Sequence, residues 1–228
     1  MLIIVDKKMN PGAKKKLAYY GELLELETDG ITYPAISGHP DIFFCRSQEH
    51  LILAPNLPHL YFEQLKGHHI DFITGEMPVG PKYPASARYN AVATDQLLIH
   101  NFRHIDFMIT RALEDLNPVH VDQGYCRCNL LPLKDGHFIS SDAGIYKVLS
   151  GLRPEILFIH PEQIKMEGFP HGFFGGCCGI WKDTVFINGS LKYFLEGEKV
   201  RNYLHSTLTW DRMEKYAERI HPALQRPE

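Results

Sequence analysis

Residues 126–159 read CRCNLLPLKDGHFISSDAGIYKVLSGLRPEILFI and contain one full copy of a pattern that repeats along the chain. Two β-type runs, 126–133 and 137–140, flank the polar turn Lys134-Asp135-Gly136. An amphipathic helix is predicted over 145–152, and a further apolar run follows at 155–159. The segment therefore predicts two strands, a helix and a third strand.

The same order recurs before and after this segment. Paired strands are predicted at 41–46 and 51–55, at 88–93 and 96–100, and at 176–181 and 185–188, with helices at 60–65, 105–116 and 191–207. The first residues add a strand at 2–5, a helix over 13–20 that Pro11 opens, and a strand at 23–26. Five ββαβ-like units of about 45 residues, here called repeats, therefore fill the chain. Their approximate bounds are 1–37, 38–80, 81–122, 123–165 and 166–209, and a polar helical tail is predicted at 210–228.

An open row of such repeats would expose sheet edges, so we expect the row to close into a ring. The predicted fold class is α/β, with five ββαβ-like units closed into a ring. Residues 1–228 are expected to form one domain.

Composition narrows the classes of function. The chain has 228 residues, 44% of them hydrophobic, which excludes a disordered protein. The 24 Lys and Arg residues against 27 Asp and Glu give no basic surplus, so no nucleic-acid partner is expected. Apolar runs are too short for a membrane span. Five cysteines, two of them adjacent, argue against a disulfide framework, and we expect a cytoplasmic protein.

Several short motifs carry a resemblance to a known superfamily. They are Gly38-His39-Pro40-Asp41-Ile42, Tyr83-Pro84 with Tyr89-Asn90, Gln123-Gly124-Tyr125 followed by Cys128, Ser141-Asp142, and Gly172-Phe173-Phe174-Gly175-Gly176. With these the chain resembles the penteins, the α/β-propeller proteins that include deiminases and amidinotransferases. It looks most like an uncharacterised family of bacterial penteins. The resemblance implies the fold, a pentein-type α/β propeller of five ββαβ-like units around a central channel, more than an activity.

The enzymes of that superfamily imply a catalytic set. They use a late cysteine nucleophile and a His-x-Asp motif, and carboxylates grip a guanidinium. The matching residues here are His120 and Asp122, with Cys177 or Cys178 after Gly175-Gly176. Consecutive strand residues face opposite sides, so only one of these two cysteines is expected to enter the channel. The glycine-to-cysteine spacing is shorter than in the deiminases, and both cysteines stay candidates.

The substrate-binding candidates are Asp41, Arg88, Asn90 and Asp142. Arg88 stands where deiminases carry an acidic motif, and it would repel a guanidinium and attract an anion. Asp41 is the carboxylate that would replace the missing acid from another repeat. Asp142 also has a plain structural interpretation as a helix N-cap.

The cysteines suggest a further site. Cys126 and Cys128 are two residues apart, so in a strand both thiols would face one way and could bind zinc with Cys177, or form a redox pair. The Cys-x-x-Cys spacing of structural zinc sites is absent from this stretch. The glycine-rich segment 172–179 lacks the Gly-Lys-Ser/Thr of a phosphate loop, and no cofactor is predicted.

Three hypotheses of function follow. The first is a cysteine-dependent hydrolase or transferase acting on the C–N bond of a small amidine- or guanidine-like substrate in the channel. The second is a non-catalytic binding protein, the use of the fold known from the ribosome anti-association factor. The third is a thiolate metal-binding protein. Oligomeric state stays open.

Overall fold

The computed structural model describes residues 1–152, 155–182 and 184–207, and the chain divides into two compact units. The first unit is Met1–Cys128 and the second is Asn129–Glu228. Both are mixed α/β, as predicted from the alternating pattern. The helical tail predicted at 210–228 lies outside the described residues.

The first unit begins with a parallel strand pair. Strand β1 (Leu2–Asp6) pairs with β2 (Glu22–Leu26), and helix α1 (Pro11–Leu17) connects them. Asn10 caps α1 through a side-chain bond to the Gly12 N–H at 2.8 Å, and Pro11 occupies the first turn, where its missing N–H is no loss.

Two three-stranded sheets complete the first unit. The first contains β3 (Phe44–Arg46), β4 (Leu51–Leu53) and β5 (Ile73–Thr74), preceded by the short helix α2 (Pro40–Phe43), with α3 (His59–Gly67) between β4 and β5. The second contains β6 (Val92–Ala93), β7 (Leu97–His100) and β8 (Asn117–His120), with α4 (Phe107–Ala112) between β7 and β8. Short 3₁₀ turns lie at Pro34–Ile36 and Ala85–Ala87.

The second unit follows the short helix α5 (Cys126–Asn129). Its first sheet contains β9 (Leu130–Pro132), β10 (Phe138–Ser140) and β11 (Ile156–Phe158), with α6 (Ala143–Ser150) between β10 and β11. A hairpin of β12 (Cys178–Trp181) and β13 (Thr184–Ile187) precedes α7 (Gly197–Thr207). 3₁₀ turns lie at Lys134–Gly136, Gly175–Cys177 and Leu191–Tyr193.

The ββαβ order predicted from sequence is confirmed in the three three-stranded sheets. In each, the first two strands are antiparallel, and the third pairs in parallel with the middle strand after a helical crossover. A parallel partner requires such a crossover, which is why a helix separates the last two strands. The helices bury residues four apart, Tyr61 and Leu65 in α3 and Ile145 and Leu149 in α6. Burial of each of the three aliphatic side chains, Leu65, Ile145 and Leu149, contributes about 2 kcal/mol.

The prediction for the first strand of four repeats was wrong at its beginning. Residues predicted as strand from 41, 88, 126 and 176 instead begin in or next to a helical turn, and the strand starts two to four residues later. Pro40 explains one case, because its fixed φ suits the first helical turn. The strand-face argument for Cys126 and Cys128 fails for the same reason, since both lie on the helical turn of α5.

Each unit has its own apolar interior. In the second unit the core cluster consists of Leu131, Ile139, Ile159, Phe174, Cys178, Leu191, Val200 and Leu204. In the first unit Ile42, Phe43, Ile52, Leu53 and Ile99 are fully buried. Over the described ranges, no helix has the length and apolar character needed to cross a bilayer.

Candidate active site

Three side chains that the sequence analysis singled out for different reasons meet in the first unit. The Cys128 thiol donates to Asp41 Oδ2, with 3.1 Å between sulfur and oxygen. Asn90 Nδ2 lies 3.2 Å from the same sulfur and 2.8 Å from the Asp41 carbonyl oxygen. Asn90 Oδ1 accepts the backbone N–H of Cys128 at 3.0 Å. We call Asp41, Asn90 and Cys128 the Cys128 centre.

The Cys128 centre is built from the helical turns that replaced the predicted strand starts. Asp41 lies in the first turn of α2, and Cys128 lies in α5. Asn90 lies in the turn after Ala85–Ala87, and its N–H bonds the Ala87 carbonyl at 3.1 Å. All three residues precede the first strand of their repeat, so successive repeats supply one member each.

Burial controls the chemistry of this thiol. Cys128 is 1% exposed and Asn90 is 0% exposed, whereas Asp41 is half-buried. Burial raises the pKa of Cys128 well above its ordinary value, and the charge of Asp41 and its hydrogen bond raise the pKa further. The Asn90 hydrogen bond and the charge of Arg127 offset part of this rise in the pKa. At neutral pH Cys128 is therefore a protonated thiol that donates to a carboxylate.

The Asp41 carboxylate can accept more hydrogen bonds than the one that the Cys128 thiol donates to it. Among the described residues, the Cys128 thiol is the one donor to the Asp41 side chain, although a carboxylate has about four acceptor positions. A thiol is also a weak donor. The half-buried carboxylate therefore has capacity to bind a cation or another N–H group from a ligand.

Three hydroxyl groups in the segments that supply this centre were not predicted as functional. Tyr125 Oη lies 2.6 Å from Ser86 Oγ and 2.8 Å from Tyr33 Oη. Two of these residues could have been found from the sequence. Tyr125 belongs to the Gln123-Gly124-Tyr125 motif, and Ser86 lies two residues before the substrate-binding candidate Arg88. We find no sequence signal for Tyr33.

His120 and Asp122 lie on the surface of the first unit. Their side chains are 43% and 92% exposed, with 3.8 Å between His120 Nε2 and Asp122 Oδ1. His120 Nδ1 accepts the Phe102 N–H at 3.3 Å, so the neutral ring carries its proton on Nε2, toward Asp122.

Cys177 and Cys178 belong to the second unit. Cys177 ends a 3₁₀ turn and is half-buried, whereas Cys178 begins β12 opposite Ile187 and is buried. Cys178 belongs to the core cluster of that unit, and Cys177 packs against it. The expectation that one of them works with His120 stays a prediction.

Arg88 and Asp142 both have structural partners. The Arg88 guanidinium donates to the Pro78 carbonyl. Asp142 caps α6 by accepting the Ile145 N–H at 2.8 Å, which confirms the N-cap interpretation. The four substrate-binding candidates thus separate into the pair Asp41 and Asn90 of the Cys128 centre and these two residues.

The cysteine metal site finds no support in the described ranges. There, no three His, Cys, Asp or Glu side chains are grouped to hold a metal ion. Cys126 donates to the Gln123 carbonyl at 3.0 Å, whereas Cys128 donates to Asp41, so the two thiols have different acceptors. The remaining first-unit cysteine, Cys45, is a core residue, and burial raises its pKa to about 12.

Comparison with known proteins gives the chain a family. A family model described as a family of unknown function (DUF6873) matches residues 4–210. The chain belongs to this family. A search of curated proteins found no match to the sequence. The matched residues include all three members of the Cys128 centre. Because the function of the family is unknown, the interpretation of this centre rests on its own geometry.

Proposed function

We propose that this DUF6873 protein is a cysteine-dependent enzyme that acts on the C–N bond of a small amidine- or guanidine-like cation. In this proposal Cys128 is the nucleophile and Asp41 holds the cation. The observation that carries the proposal is the 3.1 Å contact between Cys128 Sγ and Asp41 Oδ2. One carboxylate in that position can attract the cation and also accept the thiol proton.

The substrate itself supplies the activation that the resting thiol lacks. Burial and the Asp41 charge raise the pKa of Cys128, so the thiol alone is a poor nucleophile. A cation bound against Asp41 offsets that negative charge and lowers the pKa of the thiol. Asn90 contributes an N–H 3.2 Å from the sulfur, which favours the thiolate.

The reaction then balances without a cofactor. The sulfur adds to the amidinium carbon, the π electrons of the C=N bond move to nitrogen, and the thiol proton passes to Asp41. Asp41 returns this proton to the departing nitrogen as the C–N bond breaks and a C=N bond re-forms, leaving a cationic thioimidate on Cys128. Water then cleaves the C–S bond, and the amide product, the thiol and one proton are released.

The proposed fold is a pentein-type propeller, with each described sheet as one blade around a channel. Three sheets with the same ββαβ order support this proposal. Further support comes from Asp41, Asn90 and Cys128, which occupy corresponding turns of successive repeats. In a propeller such turns would approach the axis.

A pair of matched electrophiles tests the function. 2-Chloroacetamidine carries an amidinium beside its reactive carbon, and 2-chloroacetamide is its neutral analogue. Site-resolved mass spectrometry gives the alkylation rate of each cysteine at pH 7.5, with the two reagents normalised on N-acetylcysteine. We expect the amidine to alkylate Cys128 about tenfold faster than the amide, the factor that about 1.4 kcal/mol of attraction provides.

Two variants locate the source of the preference. Asp41→Asn should abolish it, because the amide side chain keeps the shape and removes the charge. Asp122→Asn is the matched control, since this carboxylate is exposed and outside the Cys128 centre, and it should leave the preference unchanged. Equal rates of the two reagents at Cys128 in the wild type would overturn the proposal. A preference confined to Cys177 or Cys178 that also requires His120 would transfer the nucleophile to those residues.

The raised pKa of Cys128 favours a second candidate, a protein that binds the cation without reacting. Acetamidine, which has no leaving halide, separates the two candidates. Binding of acetamidine in equilibrium dialysis, lost in Asp41→Asn, combined with equal alkylation by the two reagents, would establish the binding protein and exclude the enzyme.

A further inference from the structure

A buried histidine contacts the turn that carries Asn90 into the Cys128 centre. His100 is the last residue of strand β7 and is fully buried. Its Nε2 atom lies 2.9 Å from the Ala87 carbonyl oxygen, and the same oxygen accepts the Asn90 N–H at 3.1 Å. A carbonyl oxygen has two lone pairs and can accept both bonds. His100 is therefore connected to Asn90 through one shared acceptor.

The connection continues from Asn90 to the sulfur. The Asn90 amide nitrogen lies 3.2 Å from Cys128 Sγ, and the amide oxygen accepts the Cys128 N–H at 3.0 Å. The two segments also pack directly, because a Cβ added at Gly124 would lie 3.1 Å from the Ala87 Cβ. Gly124 belongs to the segment that leads into Cys128. The position of Ala87 therefore affects the geometry of the Cys128 centre by two routes.

His100 ties this turn to a regular element. Strand β7 is the middle strand of its sheet, with β6 on one side and β8 on the other. Side chains on strands are held more precisely than side chains on loops. The turn at 85–90 therefore takes its position from the sheet through the His100 ring.

This role requires the ring proton on one particular nitrogen. Nδ1 lies 3.0 Å from the Asn101 carbonyl oxygen, so each ring nitrogen faces a carbonyl. Burial lowers the pKa of His100 to about 4, so at neutral pH the ring has one N–H for the two carbonyls. A proton on Nε2 is donated to Ala87 and holds the turn. A proton on Nδ1 would leave the Nε2 lone pair against the Ala87 oxygen, and the two atoms would repel each other.

We propose that His100 is a positioning residue of the Cys128 centre, which donates from Nε2 to the Ala87 carbonyl and thereby keeps the Asn90 amide against the Cys128 sulfur. This inference rests on the proposed function, because it assigns Cys128 the reactive role. The Asn90 hydrogen bond lowers the pKa of the Cys128 thiol, so displacement of the amide makes the thiol less reactive.

Two substitutions separate the two ring nitrogens. The amide nitrogen of glutamine is as many bonds from Cβ as Nε2, and the amide nitrogen of asparagine is as many bonds from Cβ as Nδ1. His100→Gln therefore keeps a donor for Ala87, whereas His100→Asn keeps one for Asn101 only. Alkylation of Cys128 by neutral 2-chloroacetamide at pH 7.5 should slow about threefold in His100→Asn and stay within about 1.5-fold of the wild type in His100→Gln.

His59→Asn is the matched control, because it makes the same substitution at an exposed position of the first unit. His59 begins helix α3, and this variant should change no cysteine rate. The buried Cys45 thiol is the internal reference, because opening of the first unit would speed alkylation of Cys45 and Cys128 together. The rate of Cys128 relative to Cys45 therefore separates positioning from a loss of stability.

Nuclear magnetic resonance of the wild type decides the matter if His100→Asn does not fold or opens the first unit. A long-range proton–nitrogen correlation spectrum distinguishes protonated from unprotonated ring nitrogens, and the His100 signals are those missing from His100→Gln. We expect the proton on Nε2 at pH 7.5. A proton on Nδ1 would overturn the positioning role.

The outcomes separate this inference from the proposed function. Equal Cys128 rates in the wild type, His100→Gln and His100→Asn would overturn the positioning role, and so would an equal loss of rate in both variants. The amidine preference of the wild type would survive those results, since it depends on Asp41. Absence of that preference, with Cys128 slowed in His100→Asn and not in His100→Gln, would instead reject the substrate class and keep the positioning residue.

Discussion

The Tyr89 hydroxyl lies 2.9 Å from Asp106 Oδ2, and both side chains are 0% exposed in the first unit. Asp106 also accepts the backbone N–H groups of Glu76, Met77 and Met108, at 3.1, 2.7 and 2.9 Å. A buried carboxylate is thus compensated by hydrogen-bond donors. Tyr89 directly precedes Asn90, so this anchor also fixes the turn that carries Asn90 into the Cys128 centre.

The first prediction is that Asp106→Asn destabilises the first unit by about 3 kcal/mol. The new amide group places N–H donors against backbone N–H donors and removes charge-assisted hydrogen bonds at a fully buried site. Both tryptophans, Trp181 and Trp210, follow the first unit in the sequence, so tryptophan fluorescence does not report on the first unit. Amide hydrogen exchange of peptides from 73–80 and 105–113 measures the change directly. Unchanged protection in both peptides would contradict the anchor role.

The second prediction concerns Gly75, which packs against the same tyrosine. A Cβ at Gly75 would lie 2.1 Å from the Tyr89 hydroxyl oxygen, and Asp106 holds that hydroxyl in place. Gly75→Ala should therefore destabilise the first unit by about 2 kcal/mol, seen as a lower midpoint in urea by far-ultraviolet circular dichroism.

Gly67→Ala is the matched control for this substitution. Gly67 ends helix α3, and a Cβ there meets nothing within 4 Å. The added methyl should leave stability unchanged or raise it by up to about 1 kcal/mol, because alanine favours helix. Equal midpoints for the two variants would show that the Tyr89 side chain yields to the new methyl group.

The order of elements was predictable from sequence because each repeat carries its own local signals. Polar turns such as Thr94-Asp95 separate paired strands, and Asp142 and Pro11 begin helices where a cap and a first-turn proline belong. The beginnings of the first strands were not predictable. A stretch such as 41–46, DIFFCR, is a short apolar run whose periodicity does not distinguish a strand from a helical turn.

The Cys128 centre was predictable only as separate members. Asp41 and Asn90 were chosen as substrate-binding residues, whereas Cys128 was assigned to a metal site on the strand-face argument that α5 removes. The contact between Asp41 and Cys128 joins residues 87 positions apart. A contact of that range depends on how the repeats pack, which no local pattern encodes.

The third prediction is a pH dependence of stability that His100 causes. Its ring is 0% exposed, with Nδ1 3.0 Å from the Asn101 carbonyl and Nε2 2.9 Å from the Ala87 carbonyl. Burial lowers the pKa of His100 from 6.5 to about 4, against the opposite effect of the carbonyl groups. The unfolded chain binds this proton below pH 6.5 and the folded chain only near pH 4. The contribution of the neutral His100 ring to stability is therefore fully present above pH 6.5 and is lost as pH falls. At pH 4 the free energy of unfolding is lower by about 3 kcal/mol.

The comparison with His100→Gln isolates this contribution from other titrations. Free energies of unfolding in urea, measured between pH 4 and 7.5, should fall less steeply with falling pH in the variant. Between pH 4.5 and 6 the difference in slope should correspond to the uptake of about one proton on unfolding. Parallel profiles for the two proteins would mean that His100 titrates alike in the folded and unfolded chains.

The fourth prediction is that Asn90 stabilises the Cys128 centre as well as shaping it. Asn90→Ala leaves the Cys128 N–H and the Asp41 carbonyl without their partner in a buried place, which should cost about 3 kcal/mol. The pKa of the Cys128 thiol should rise further, because the Asn90 amide lowers it.

Asn117→Ala is the control, since Asn117 is exposed and its side chain donates a 3.2 Å hydrogen bond to the Gln96 carbonyl. The cost of this substitution should stay below about 0.5 kcal/mol. Urea midpoints measure the stability, and the alkylation rate of Cys128 measures the reactivity of its thiol. A stable Asn90→Ala protein with unchanged Cys128 reactivity would show that Asp41 and Cys128 hold their geometry without the amide.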